Sequence, residues 1–311
     1  MPQFAKFASF DCTAQSWYAA LRSRALKPGR VQTCEVAGRG LVLWRDASGA
    51  PRAFDARCPH LGADLGRGSI ADGNLRCPFH GWCFDASGAC VHVPGATPRT
   101  DRPASSFPAE ERHGIIWVYN GASPLFGIPT PQEVTRMWTL APRGQTLACH
   151  PHLIIGNGLD VSHYEPLHGL AFTREPKLNV ETTSVRVEFA ARPKSRLWRV
   201  LTGTTRRDIE ATFTSSGGNL ALAEVFQPLR FSVLFAAQPV KPRHARTQTV
   251  FFFPRGYALR LIRAGFVMAN LLRDDRRVLE SLKFRPEFTP ADAALEAFAK
   301  SVEALPVGDA W

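Results

Sequence analysis

The hydrophobic rhythm of the chain changes about two-fifths of the way along. From 40 to 119, short apolar or alternating runs recur at 41–44, 52–55, 83–85, 90–93 and 115–119. Asp-Gly, Ser-Gly and Pro-Gly pairs separate them, which predicts short strands joined by tight turns and hence a small all-β domain. The stretch GASPLFGIPTPQE at 121–133 is rich in Pro and Gly and breaks the pattern. It predicts a boundary between a domain of residues 1–125 and a second of residues 126–311. Beyond it, 153–164 reads as helical, although Gly156 and Gly158 weaken a helix. Runs rich in Val, Phe and Thr at 182–190, 206–213, 220–226, 231–236 and 247–253 suit antiparallel strands, and 257–284 returns to helical spacing. Strands followed by a long helix predict an α+β domain with helices on one face of an antiparallel sheet. The chain has no internal repeat.

Composition changes this picture little. Hydrophobic residues make up 45% and charged residues 21% of 311, ordinary for a chain that buries a core. The formal net charge is +11. No Lys/Arg block interleaved with aromatics occurs, so nucleic acid is not the expected partner. Seven scattered cysteines argue against a disulfide framework. The first residues lack an apolar signal-peptide core, and Arg260 and Arg263 interrupt the most apolar stretch. A protein without a membrane span, in a reducing cytoplasmic compartment, is expected.

The chemistry begins at CPHLGADLGRGSIADGNLRCPFHGW, residues 58–82. It offers Cys58, His60, Cys77 and His80, ordered Cys-x-His, sixteen residues, Cys-x-x-His. Thiolates plus imidazoles suit zinc or iron–sulfur chemistry. A structural zinc site is the plain alternative. Two irons can also share such a set unequally, with Cys58 and Cys77 on one and His60 and His80 on the other, and the string closely resembles the Rieske [2Fe–2S] signature. Respiratory Rieske proteins carry two further cysteines, whose places here are held by Ala63 and Phe79, and a Ser where this chain has Trp82. The lost hydroxyl implies a lower potential, because hydrogen bonds to cluster sulfurs tune it. Cys83 and Cys90 read as small buried hydrophobes in strands.

A second cluster lies in NGLDVSHYEPLHG, residues 157–169. Two histidines five apart, His163 and His168, are by themselves most simply a surface pair. On a helix, however, Asn157, Asp160 and Tyr164 would share a face with Leu153, Ile154 and Val161, and Asp160 would stand one turn before His163. Pro166 would end or bend that helix. Polar groups on an apolar stripe need partners. Two His and one carboxylate make a facial set for mononuclear non-haem iron. In ANLLRDDRRVLESLK, Asp275 shares its helix face with Leu271, Leu272, Val278, Leu279 and Leu282, whereas Asp274 sides with Asn270, Arg277 and Ser281. Asp275 is therefore the expected third ligand, and Asp274 a surface acid.

Together these motifs resemble the catalytic (α) subunits of Rieske non-haem iron oxygenases. The resemblance runs from Trp17-Tyr18 through both ligand strings to Asp275 and Glu280. The spacing of the second is similar to the homotrimeric monooxygenase and demethylase branch, which includes dicamba and vanillate demethylases and ketosteroid hydroxylases. The resemblance implies an N-terminal Rieske domain and a helix-grip catalytic domain. It implies a [2Fe–2S] cluster on Cys58, His60, Cys77 and His80, and Fe(II) on His163, His168 and Asp275. Asn157 and Asp160 would belong to the catalytic surroundings, with Asp160 bridging His163 to His80 of the partner subunit. The segment between His168 and Asp275 is short for the family, which leaves the loops over the site, and so the substrate, undetermined.

No Gly-x-Gly-x-x-Gly follows a strand, so electrons are expected from a separate NAD(P)H-dependent reductase, directly or through a ferredoxin. Residues 171–311 hold 22 Lys/Arg against 14 Asp/Glu, a surface suited to an acidic ferredoxin or simply a solvated basic face. Arg260 or Arg263 could anchor a substrate carboxylate. Phe251, Phe252, Phe253, Phe266 and Met268 could line an apolar pocket, although plain core is the simpler reading. The expected reaction is hydroxylation or oxidative demethylation of an apolar or aromatic small molecule by O2, with desaturation and N-oxidation open to the same iron. The rivals are a Rieske electron carrier, which needs only the first domain, and a chain that keeps the fold without the chemistry.

Overall fold

Paired left-handed turn residues shape the N-terminal sheets. Ala37-Gly38 (φ 50° and 89°) and Asp72-Gly73 (φ 51° and 76°) each have both central residues at positive φ, the geometry that joins twisted strands in two-residue hairpins. The computed structural model describes residues 4–308 apart from 133, 206, 242, 256 and 257, with no side chains described at 136, 201, 202, 241 and 258–264. The chain divides into two units. One is Gln15–Pro124 with Gly308; the other joins the stretch ending at Ala14 to Leu125–Val307. The division near 125 falls within the Pro/Gly-rich stretch. Residues up to Ala14, grouped by the sequence reading with the first domain, lie instead with the second unit.

The first unit holds three small antiparallel sheets. Ile115–Tyr119 lies between Trp17–Arg22 and Ala109–Arg112. The second runs Gln32–Val36, Arg39–Arg45, Pro51–Asp55 and Ser106–Phe107. The third runs Ser69–Ala71, Asn74–Arg76, Cys83–Phe84 and Cys90–His92. Val42, Trp44, Phe54, Leu65, Leu75 and Phe84 pack around Cys58 and Cys77 in one core.

The second unit is built on a nine-stranded antiparallel sheet. Its main path runs Met137–Leu140, His244–Pro254, Phe231–Lys241, Leu220–Gln227, Ile209–Ser216, Ser184–Pro193 and Leu170–Phe172. Gln145–Leu147 and Lys177–Val180 pair on its flanks. Period-two alternation sends Val185, Val187, Phe213 and Ala221 to one face, which buries against Leu153, Ile155, Leu279, Phe298 and Val302. Those residues come from helices α1 (Pro151–Asn157), α4 (Ala258–Ser281) and α5 (Ala293–Ala304). Short helices α2 (Tyr164–His168) and α3 (Arg196–Thr202) complete the set. This is the sheet-with-helices arrangement that the strand pattern implied.

The predicted helix over 153–164 is not one helix. α1 ends at Asn157, a 3₁₀ turn covers Val161–His163, and α2 follows. The backbone leaves the helical region at Asp160 (φ −72°, ψ 85°), while Gly158 is still helical and packs on the Phe213 ring, where a Cβ would stand 2.1 Å away. Asp160 still stands one turn before His163, but as the cap of the 3₁₀ turn rather than inside a continuous helix, its Oδ1 accepting from the Ser162 N–H at 3.1 Å and hydroxyl at 2.5 Å. Pro166 sits inside α2 rather than ending a helix, in the first turn, where a missing N–H is tolerated.

Two buried histidines fasten the N-terminal segment to this unit. His150 caps α1, its Nδ1 accepting from the His152 N–H at 3.1 Å while its Nε2 meets the Ser9 carbonyl at 2.9 Å. His152 Nδ1 accepts from the Ala8 N–H at 3.1 Å, and its ring stacks on Phe7. Glu303 of α5 accepts from the Lys6 and Phe7 N–H groups, each at 2.7 Å. Burial holds His150 down to about 4 and His152 well below its usual value. An unfolded histidine takes its proton near 6.5, so this stabilisation is complete above that pH and is lost as pH falls toward 4. Hydrogen-exchange protection of the α1 amides, corrected for intrinsic exchange, is expected to fall by about 2 kcal/mol for His150 alone between pH 7.5 and 5. His150→Asn, which can still cap the helix, should remove that share; an unchanged pH dependence in the variant would assign the effect elsewhere.

Candidate metal centres

Two loops of the first unit converge. In one, the Cys58 N–H donates to the Ala63 carbonyl and the Gly62 N–H to the Cys58 carbonyl, both at 2.9 Å. In the other, the Cys77 N–H donates to the Trp82 carbonyl at 2.8 Å and the Gly81 N–H to the Cys77 carbonyl at 3.2 Å. Gly62 and Gly81 take φ of 74° and 68°, which lets each loop close behind its ligand pair. Cys58 and Cys77 are buried free thiols, and the His60 and His80 ring centroids are 4.7 Å apart. Trp82 stacks flat on His60 at 4.3 Å. Burial pushes the Cys58 thiol up to about 11, opposed by the N–H groups of His60 and Leu61 aimed at its sulfur. His60 Nδ1 is buried without a hydrogen-bond partner. An orphaned imidazole nitrogen is costly as it stands, and two buried thiols lie beside it. All are donors a [2Fe–2S] cluster takes, so these residues fit that group. Cys83 and Cys90 are also buried, their thiols directed at the Gly81 and His92 carbonyls, as expected of spare core cysteines.

The second unit brings His163, His168 and Asp275 together, with one ligand atom from each lying within 4.8 Å of the others. His168 Nε2 is 2.9 Å and His163 Nε2 3.6 Å from Asp275 Oδ1. The short 3₁₀ turn supplies His163, α2 supplies His168, and α4 carries Asp275 across to them. The Asp160 carboxylate lies 3.7 Å from His163 Nδ1. Burial raises the Asp160 carboxyl, but His163 and Ser162 outweigh it and hold it below the usual range. Both ring nitrogens of His163 and Nδ1 of His168 are buried with no hydrogen-bond partner. Imidazole nitrogens gathered beside one carboxylate, most of them without a hydrogen-bond partner, fit a divalent iron with open positions. Asp274 instead lies 4.0 Å from Arg277 at the surface. The helix-face reading of α4 holds for Leu271, Leu272 and Leu279, which share Asp275's side of the cavity, but Val278 and Leu282 are exposed. Glu280 pairs with Arg276 at 3.1 Å.

The three ligand candidates open into a cavity of about 330 Å3. Its walls are mostly apolar, with Phe189, Phe213, Phe231, Phe235 and Phe251 from the sheet, and Met268 among others from α4. Asn157, the last residue of α1, also lines it. Of the aromatic run singled out in sequence, Phe251 faces the cavity, Phe252 is core, and Phe266 is exposed. The side chains of Arg260 and Arg263 lie outside the described residues. Sequence reasoning missed the Tyr164 hydroxyl bond to the Gly158 carbonyl, 2.7 Å long, although it had noted a polar group needing a partner there.

Known proteins resemble this chain in its N-terminal domain and in its fold. The family model of the Rieske [2Fe-2S] domain matches residues 16–108. Aminopyrrolnitrin oxygenase PrnD of Pseudomonas fluorescens is 36% identical over 184 residues, covering 52% of this chain and 48% of that protein. The oxygenase component of chloroacetanilide N-alkylformylase from Rhizorhabdus wittichii is 36% identical over 192 residues, covering 56% and 53%. The chain thus spans about half the length of these relatives. The crystal structure of apo dicamba monooxygenase superposes with a TM-score of 0.70 at 19% identity, over 96% of this chain and 97% of that one, a likeness of fold. No described helix is long and apolar enough to cross a membrane. Residues 16–108 thus match the Rieske [2Fe-2S] domain, and the chain resembles oxygenase components over about half their length and shares the fold of dicamba monooxygenase.

Proposed function

We propose that this chain is a terminal oxygenase that uses O2 to hydroxylate or oxidatively demethylate an apolar or aromatic small molecule. The observation that carries this reading is the His163–His168–Asp275 set opening into a mostly apolar cavity, in a chain that also has a Rieske domain. Cys58 and Cys77 would hold one iron of the cluster, His60 and His80 the other. His163, His168 and Asp275 would hold Fe(II). Iron with open positions supplies oxygen activation, and the cluster supplies single electrons. The cavity walls would bind the substrate, strip its water and turn one C–H bond toward the ligand set. Desaturation and N-oxidation use the same arrangement, and substrate shape decides among them.

Electrons would come from a separate reductase, with or without a ferredoxin, and the chain's net charge of +11 favours an acidic donor. A homotrimer is the proposed assembly. His80 is exposed, flanked by Phe79 at 64% and near Leu61 at 67% exposure, as suits a tip that meets another chain. Asp160 would then join His163 to His80 of the partner subunit. Seven free cysteines suit a reducing compartment such as the cytoplasm. The test is an anaerobic screen of apolar and aromatic compounds for perturbation of the mononuclear iron spectrum. Hits are followed by product analysis with O2 and a reductase. The reading predicts one oxygenated or dealkylated product coupled to NAD(P)H use; cluster reduction and reoxidation with no substrate ever consumed would support the electron-carrier alternative.

A further inference from the structure

We propose that Tyr164 is a positioning residue whose hydroxyl buckles the 158–163 loop, so that His163 stands in register with His168 and Asp275 before a metal binds. The inference rests on the reading of those three residues as the iron site. Three observations lead to it. Metal-binding histidines are commonly oriented by a hydrogen bond to the second ring nitrogen. Within this chain both His163 nitrogens are buried without a hydrogen-bond partner, and the Asp160 carboxylate approaches Nδ1 only to 3.7 Å, too far to fix the ring by itself. Packing and the loop that carries it must therefore share in setting its orientation.

That loop is held from two sides. Below, the backbone of Gly158 rests on the Phe213 ring, with no room for a methyl group. Above, the Gly158 carbonyl, left without a helical donor where α1 ends, accepts the Tyr164 hydroxyl at 2.7 Å. Between these points the Leu159 and Asp160 N–H groups both turn back to the Gly156 carbonyl, at 2.9 and 3.0 Å. The Tyr164 ring is itself fixed. It meets His163 edge-on at 4.8 Å and packs against Phe189 at 5.2 Å and Phe172 at 5.8 Å. One side chain therefore sets the loop height through its hydroxyl and the imidazole angle through its ring.

Co(II) titration of protein carrying its cluster but stripped of mononuclear metal tests this, read by affinity and ligand-field bands. Tyr164→Phe keeps the ring and deletes the buckle. It is expected to weaken Co(II) binding by about ten-fold and shift the bands, with the cluster spectrum unchanged. Wild-type affinity and bands in Tyr164→Phe would overturn the proposal. His163→Ala serves as reference: if it still binds Co(II) like the wild type, the iron-site reading itself fails. Should Tyr164→Phe not accumulate, Gly158→Ala pushes the loop off Phe213 from the other side. It should weaken binding comparably, and Phe213→Leu added to it should restore part of the loss. Undiminished binding in Gly158→Ala would count against the proposal equally.

Discussion

Replacing His163 or His168 by Ala is expected to abolish substrate oxidation, by roughly a thousand-fold or more, equivalent to about 4 kcal/mol of transition-state stabilisation. The cluster should remain, with its colour and labile sulfide, because its ligand candidates lie in the other unit. Asp275→Ala should behave in the same way, since its carboxylate faces both imidazoles at 2.9 and 3.6 Å. Asp274→Ala should leave turnover nearly unchanged, because Asp274 pairs with Arg277 at the surface and lies outside the ligand set. Metal analysis and turnover of the four variants check this. Loss of mononuclear iron in Asp274→Ala with retention in Asp275→Ala would reverse the assignment.

Activity should return when two inactive chains are mixed in one oligomer. Cys77→Ser prevents the cluster and leaves the iron site; His163→Ala does the opposite. If electrons pass between chains, co-expressed mixed trimers regain a fraction of wild-type turnover, since some good clusters then neighbour good iron sites. Asp160→Asn placed in the Cys77→Ser chain should remove most of this recovery, because that chain supplies the working His163. The same change in the His163→Ala chain should not matter. Mixed trimers that form well and stay inactive would place electron transfer within one chain.

The parts of this site legible in sequence were those where chemistry is local. Cys58, His60, Cys77 and His80 occupy two tight turns, so their spacing alone describes the cradle. Asp275 was legible because α4 is a regular helix, whose period separates a cavity face from the Asp274 face. The Asn157–His163 stretch was not, because the helix gives way at Asp160, and Gly158 beside it packs on a ring 55 residues away, Phe213. Local helix spacing there placed Asp160 beside His163, as found at 3.7 Å, but on a continuous helix that does not form. His150 and His152 gave no warning of burial either; their backbone partners are Ser9 and Ala8, far away in sequence. Helix α5 did leave a signal that was passed over. A capping box at Thr289–Asp292 precedes Ala294, Phe298 and Val302, four residues apart on one buried face.

Metal and sulfide analysis of the purified wild-type protein tests the central claim, two metal centres in one chain, most directly. The account predicts two acid-labile sulfides and two cluster irons per chain, with up to one further iron that exchanges independently of the cluster. It also predicts that His163→Ala lowers the total by that one iron and leaves the sulfide unchanged. One zinc per chain with no labile sulfide would contradict it.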